Sequence, residues 1–171
     1  MSDTRRSEGS AARAGASAAP GTGSPVHPPV AHLTFGTYLT GAVLDLASVS
    51  HAFAASTSHD LFRAGTFVFI VGNVAIVLAL IAGFADRKQR TAAGSEDRAA
   101  VNKHALGGFV VWVLSVADTV VRQGASSSTT HTPVPVFVLT VLVAVGLLAT
   151  GRMGGKLVFL RGIGPAGRSA R

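Results

Sequence analysis

Four long apolar stretches, separated by short polar or basic segments, occupy most of the chain from residue 32 onward. The first covers about 32–53 (HLTFGTYLTGAVLDLASVSHAF) and carries one charge, Asp45. The second, Ala64 to Ala85, is 22 residues without a charge, set between Arg63 and Asp86. The third, His104 to Val121, holds a single acid, Asp118. The fourth runs from Val134 to Gly151 behind Pro133 and Pro135, and proline suits the first turn of a helix because it lacks the N–H. None of the four alternates with period two, and all are far longer than barrel strands. Crossing about 30 Å of hydrocarbon takes roughly 20 helical residues. The pattern therefore predicts an all-α, integral membrane four-helix bundle. Its helices are expected at about 32–53, 62–86, 104–122 and 134–152, inside a four-span membrane domain of residues 31–165.

The flanks read differently. Residues 1–30 are rich in Ala, Gly, Ser and Pro, with almost no large apolar residue before Val26, and are expected to form a disordered tail. No apolar run follows Arg5 and Arg6, so a signal peptide is not expected. Residues 166–171 are expected to form a short basic tail.

Composition supports a lipid rather than an aqueous solvent. Only 13% of residues are charged and 48% are hydrophobic, against about 25% charged in soluble domains. The net charge of +7 would suit nucleic acid only if it formed a folded basic face. The charges instead stand in blocks between the apolar stretches, so the expected partner is the lipid bilayer and no nucleic acid. Thirteen of the fifteen Lys and Arg residues share one side: Arg5, Arg6 and Arg13; Arg87, Lys88, Arg90, Arg98 and Lys103; Arg152, Lys156, Arg161, Arg168 and Arg171. Only Arg63 and Arg122 fall on the other. The positive-inside rule then predicts a multi-pass protein of the cell membrane with both termini cytoplasmic. The absence of cysteine excludes disulfides, thiolate catalysis and Cys-ligated zinc or iron–sulfur clusters.

Polar residues inside spans are costly and point to function. His32 and His104 are expected at one depth near the cytoplasmic face, with Asp45 and Asp118 about 20 Å further across by helical rise. Facing imidazoles in a helical bundle can hold haem b through both axial positions, which makes His32 and His104, with His27 as a further ligand or cap, the candidate cofactor site. The competing reading places His27 and His32 at the headgroups, bonded to lipid phosphate or a loop, or on another metal. Gly36, Gly107 and Gly108 would leave room for a tetrapyrrole or for close helix packing. Asp118 and Arg122 are spaced i, i+4 as an ordinary ion pair. Asp45 has no partner on its own helix; it can reach Arg63 at the start of the second helix, stay protonated through desolvation, or take part in a proton or cation relay. Asn73, in mid-helix, is expected to bond to a neighbouring helix. His51, His59 and His131 beside Asp60 would form a weak zinc or copper site on the outer face, and residues 126–130 (SSSTT) a solvated loop.

Several segments together resemble the DUF2231 family of predicted bacterial membrane proteins. His27-Pro28-Pro29-Val30-Ala31-His32 resembles its HPxxVHF opening, Leu44-Asp45-Leu46 the end of its first helix, and Gly83-Phe84-Ala85-Asp86 its GxxD close to the second. His104-Ala105-Leu106 resembles its HALxN motif, and Gly151-Arg152-Met153-Gly154-Gly155-Lys156-Leu157-Val158-Phe159 with Gly162-Ile163-Gly164 its GWLGGxLVY…GVG ending. Leu33-Thr34 replaces a Phe-Pro, Gly108 an asparagine and Arg152 a tryptophan. The resemblance covers about residues 26–165. It implies a layout similar to small cytochrome b-like four-helix membrane proteins and a respiratory or redox membrane partner.

Three functions follow as expectations. The leading one is a non-catalytic membrane subunit or partner protein, since no nucleophile–base pair or soluble cleft is evident and enzyme chemistry is not expected. The second is a haem b-binding electron carrier using His32 and His104. The third is a proton or ion transporter using Asp45 and Asp118, which with four helices would need a homodimer or larger assembly.

Overall fold

The computed structural model describes residues 26–125 and 129–163. It contains four helices: α1 (His27–Val49), α2 (Ala55–Arg90), α3 (Glu96–Ala125) and α4 (Val134–Phe159). Most of the expected tail, residues 1–25, lies outside the described residues, as do loop residues 126–128 and the expected basic C-terminal tail.

Every helix except α1 runs beyond its expected limits, because hydropathy marks only the part of a helix that sits in lipid. The polar turns Ala55–Leu61 at the start of α2 and Glu96–Lys103 at the start of α3 are helical too. Ser95 opens α3 by accepting the Arg98 amide on its hydroxyl at 3.1 Å, as an N-cap does. Glu96 and Asp97 in the first turn of α3, and Arg87, Lys88 and Arg90 in the last turn of α2, complement the helix dipoles. Arg98 secures the connection by donating to the Thr91 carbonyl at 2.6 Å. Helix α1 is displaced instead. It starts at His27 with prolines in its first turn, where they cost no hydrogen bond. It stops at Val49, just before His51 takes a left-handed conformation at φ 55°, the usual way to end a helix.

The helices pack as an antiparallel ring: α1 against α2, α2 against α3, α3 against α4, and α4 back against α1. The pairs α1/α3 and α2/α4 are diagonal. The end of the bundle that carries Arg87, Arg98, Lys103, Arg152 and Lys156 is termed the basic end.

Polarity in this bundle runs from an apolar outside to a partly polar inside. Val43, Phe67, Val74, Ile81, Leu106, Val120 and Val145 are all more than half exposed. The buried residues of α1 are Thr34, Tyr38, Gly41, Asp45 and Ser48, a stripe at helical spacing. Those of α3 are Val111, Ser115, Asp118 and Arg122. Apolar core contacts come from Tyr38, Phe69, Ile76, Val111, Val143 and Leu147. In water such a surface would be unstable, whereas in lipid the outward face is solvated and the polar stripe finds partners inside. Helices α2, α3 and α4 are each long and apolar enough to cross a membrane. The protein is a membrane protein built as a helical bundle.

Candidate functional site

Two polar clusters lie inside the bundle, one near each end. At the basic end, a cavity of about 710 Å³ opens between all four helices, and His27, His32, Phe35, Arg87, His104 and Thr150 are among its walls. His27 on α1 and His104 on the diagonal helix α3 meet there, ring centroids 6.0 Å apart and planes at 87°. Each ring is oriented by a backbone carbonyl. His27 Nδ1 donates to Ala79 O at 2.7 Å, and His104 Nδ1 to Thr150 O at 3.2 Å. In a neutral imidazole this leaves Nε2 as the unprotonated, metal-binding nitrogen, and carbonyl support of Nδ1–H is the usual outer shell of a metal-ligating histidine.

Two glycines make the arrangement possible. A Cβ on Gly83 would lie 3.0 Å from His27 Nδ1, and one on Gly154 would lie 3.0 Å from His104 Cε1. Each imidazole therefore rests directly on the backbone of a neighbouring helix. Arg87 brings positive charge to the cavity wall. It lies 4.5 Å over the Phe84 ring, donates to Asn102 Oδ1 at 2.6 Å, and keeps a buried Nε with no partner.

His32 is placed differently. It is exposed on α1 and its Nδ1 donates within its own helix to Pro28 O at 2.7 Å. The ring opposite His104 is that of His27, five residues earlier in the chain. Helical rotation accounts for this: five residues turn a side chain by well over a full turn, so both histidines cannot share one face. Of the small residues, Gly36 faces open space, while Gly107 packs on Thr150 and Gly108 on Leu80.

The second cluster lies near the opposite end and is fully enclosed. Asp45, Asp118 and Arg122 have no exposed surface. The Arg122 guanidinium takes Asp45 by two of its nitrogens and Asp118 Oδ2 by Nε at 2.9 Å. Thr140 Oγ1 donates to Asp45 Oδ2 at 2.7 Å and accepts from Arg122 at 2.8 Å, and Thr132 Oγ1 donates to Asp45 Oδ1 at 3.1 Å. Phe69 stacks on the guanidinium at 4.3 Å, a cation–π distance. Asp45 thus pairs with Arg122 rather than with Arg63, which is exposed on α2. The i, i+4 pair is present and is half of a triad.

Between the clusters, Tyr38 OH stands 2.7 Å from Ser115 Oγ, which donates to Asn73 Oδ1 at 2.6 Å. Asn73 Nδ2 donates to Thr119 Oγ1 at 2.8 Å, so Asn73 joins α2 to α3. Sequence reasoning missed Tyr38, Ser115, Thr132 and Thr140. For Tyr38 the available signal was the polar stripe of α1 at i, i+4, i+11 and i+14 from Thr34. At the end opposite the basic end, the His51 and His131 rings lie 4.7 Å apart and tilted, and His59 donates to Thr129 O at 2.6 Å. No group of three metal-ligating side chains is assembled among the described residues.

Two imidazoles on one metal, with metal–nitrogen bonds of about 2 Å, have ring centroids roughly 6 Å apart, and the His27–His104 rings have a separation of that size. The cavity volume also falls within the range of cofactor sites. No curated protein and no solved structure matches the chain significantly. The family model described as a predicted membrane protein, DUF2231, matches residues 23–167 and so takes in all four helices and both polar clusters; the chain belongs to the DUF2231 family.

Proposed function

We propose that this membrane protein is an electron-transfer subunit that holds a b-type haem between His27 and His104 and passes electrons to or from a redox partner in the membrane. The observation that carries the reading is the 6.0 Å meeting of two imidazoles from diagonal helices, each tied through Nδ1 to a carbonyl. Haem supplies one-electron chemistry when bound, with a potential set by its axial ligands and by burial. The chain's own residues do the rest. His27 and His104 present Nε2 in fixed orientations, Gly83 and Gly154 admit the rings, and Phe35 and Val111 keep part of the cavity wall apolar. Arg87 supplies a cation for a carboxylate at the cavity edge.

The proposed topology has four crossings with both termini cytoplasmic. Lys and Arg crowd the basic end, and α1 travels the same depth as its neighbours. His27 reaches Ala79 at one end, and Ser48 donates to Ser58 O at the other. Protein expressed with haem supplied and purified in detergent should show a b-type α-band on reduction. A preparation that is folded, supplied with haem and yet lacks that band rejects the reading.

A further inference from the structure

The two buried acids of the enclosed cluster are not equivalent. Both oxygens of Asp45 are engaged by Arg122, Thr132 and Thr140. Asp118 uses Oδ2 for Arg122, while its Oδ1 is buried with no hydrogen-bond partner at all. An unsatisfied carboxylate oxygen in a fully buried side chain is rare and costly.

Charge counting leads to the same atom. Two carboxylates around one guanidinium leave a surplus negative charge when both are ionised. Among the described residues, the elements packed around the cluster bring no second cation. Helix α2 offers Phe62, Gly65 and Phe69, with Gly65 so close that a Cβ there would sit 3.2 Å from Asp45 Oδ1. Helix α4 contributes Thr140, and α1 contributes Tyr38 one layer nearer the basic end. An uncompensated charge in such surroundings is strongly unfavourable, and a proton removes it. Asp45 has no oxygen to spare for one, while Asp118 Oδ1 does.

We infer that Asp118 Oδ1 is a proton-binding site in the membrane interior, which makes the triad a neutral unit that takes up and releases one proton. The step is acid–base exchange alone: a proton joins the carboxylate to give the carboxylic acid, and nothing is oxidised or reduced. The site stands apart from the histidine pair and does not depend on the haem reading.

Infrared spectroscopy of the protein in lipid vesicles tests it. The expected result is a protonated-carboxyl C=O band that shifts to lower frequency in D2O. The band should be lost in Asp118→Asn, move in Asp118→Glu, and persist in Asp86→Asn, which alters an acid outside the cluster. Absence of any such band in the wild-type protein overturns the proposal even if the Asp118→Asn protein does not fold. Persistence of the band unchanged in Asp118→Asn overturns it as well.

Discussion

Arg122 and Asp45, 77 residues apart in the chain, meet with neither side chain exposed and join the diagonal helices α1 and α3 through the centre of the bundle. The same two helices also meet at Tyr38–Ser115 and at His27–His104, and the Arg122–Asp45 pair adds a buried ionic tie to those contacts. Breaking a buried pair from one side leaves a bare charge and costs about 3–5 kcal/mol, whereas replacing all partners together is far less damaging. Arg122→Met alone should therefore lower the unfolding temperature sharply in detergent, followed by circular dichroism. Adding Asp45→Asn and Asp118→Asn to it should recover much of the loss. If the triple variant is no more stable than Arg122→Met, uncompensated charge is not the cause.

Tyr38 presents a smaller case of the same logic. Its ring packs on Phe69 at 5.3 Å and its hydroxyl reaches Ser115. Tyr38→Phe keeps the ring and removes the hydroxyl's contacts to Ser115 and to Asn73 Oδ1, from a network in which Ser115 still donates to Asn73. The expected cost is about 1 kcal/mol, in line with interhelical hydrogen bonds in membranes. Asn73→Leu removes acceptor and donor together and should cost more. Equal losses for the two would mean that the hydroxyl, not the amide, organises the layer.

The lipid-facing side of this protein was legible in its sequence because long uncharged runs have one physical meaning. Ala64–Ala85 has no reading other than a buried or membrane helix. The interior was harder to read for the same reason. Asp45 and Arg122 look like isolated exceptions until the fold brings α1 and α3 together, and partner choice across a bundle depends on helix rotation, which spacing along one helix does not contain. Hence Arg63, nearest to Asp45 by topology, was the candidate partner and Arg122 the actual one. His27 shows the converse problem. Placed next to two prolines at the edge of a polar tail, it looked like a junction residue, yet the prolines start α1 and put its ring on the Ala79 carbonyl.

The histidines separate cleanly by substitution. If His27 and His104 hold the haem, His27→Ala and His104→Ala should each abolish the reduced α-band, while His32→Ala leaves it intact because that exposed ring, at the cavity's edge, is bonded within its own helix. Gly83→Leu should act like His27→Ala, since its side chain would occupy the place of the His27 ring. Visible spectra of the four purified proteins with haem supplied decide the matter. Loss of the band in His32→Ala with retention in His27→Ala would move the site to the other face of α1.

The proposed fourth crossing, α1, differs in character from the other three. Helices α2, α3 and α4 qualify by length and apolarity, while α1 carries its polar stripe and is 23 residues long. At 1.5 Å per residue that length spans about 35 Å, enough for the hydrocarbon core. Its buried polar side chains Thr34, Tyr38, Asp45 and Ser48 face the other helices, while Leu33, Val43 and Leu46 on the outward side are apolar. A full crossing satisfies both faces, whereas a surface position would strip Asp45 of Arg122. The chain has no cysteine, so single substitutions report topology without background. Ser56→Cys, exposed in the first turn of α2, should react with a membrane-impermeant maleimide added to intact cells. Ala93→Cys, exposed in the α2–α3 turn at the basic end, should react only after the membrane is opened. A cysteine at Val26, just before α1, should behave like Ala93→Cys if α1 crosses. If it instead reacts in intact cells, α1 does not cross and the N-terminus lies outside.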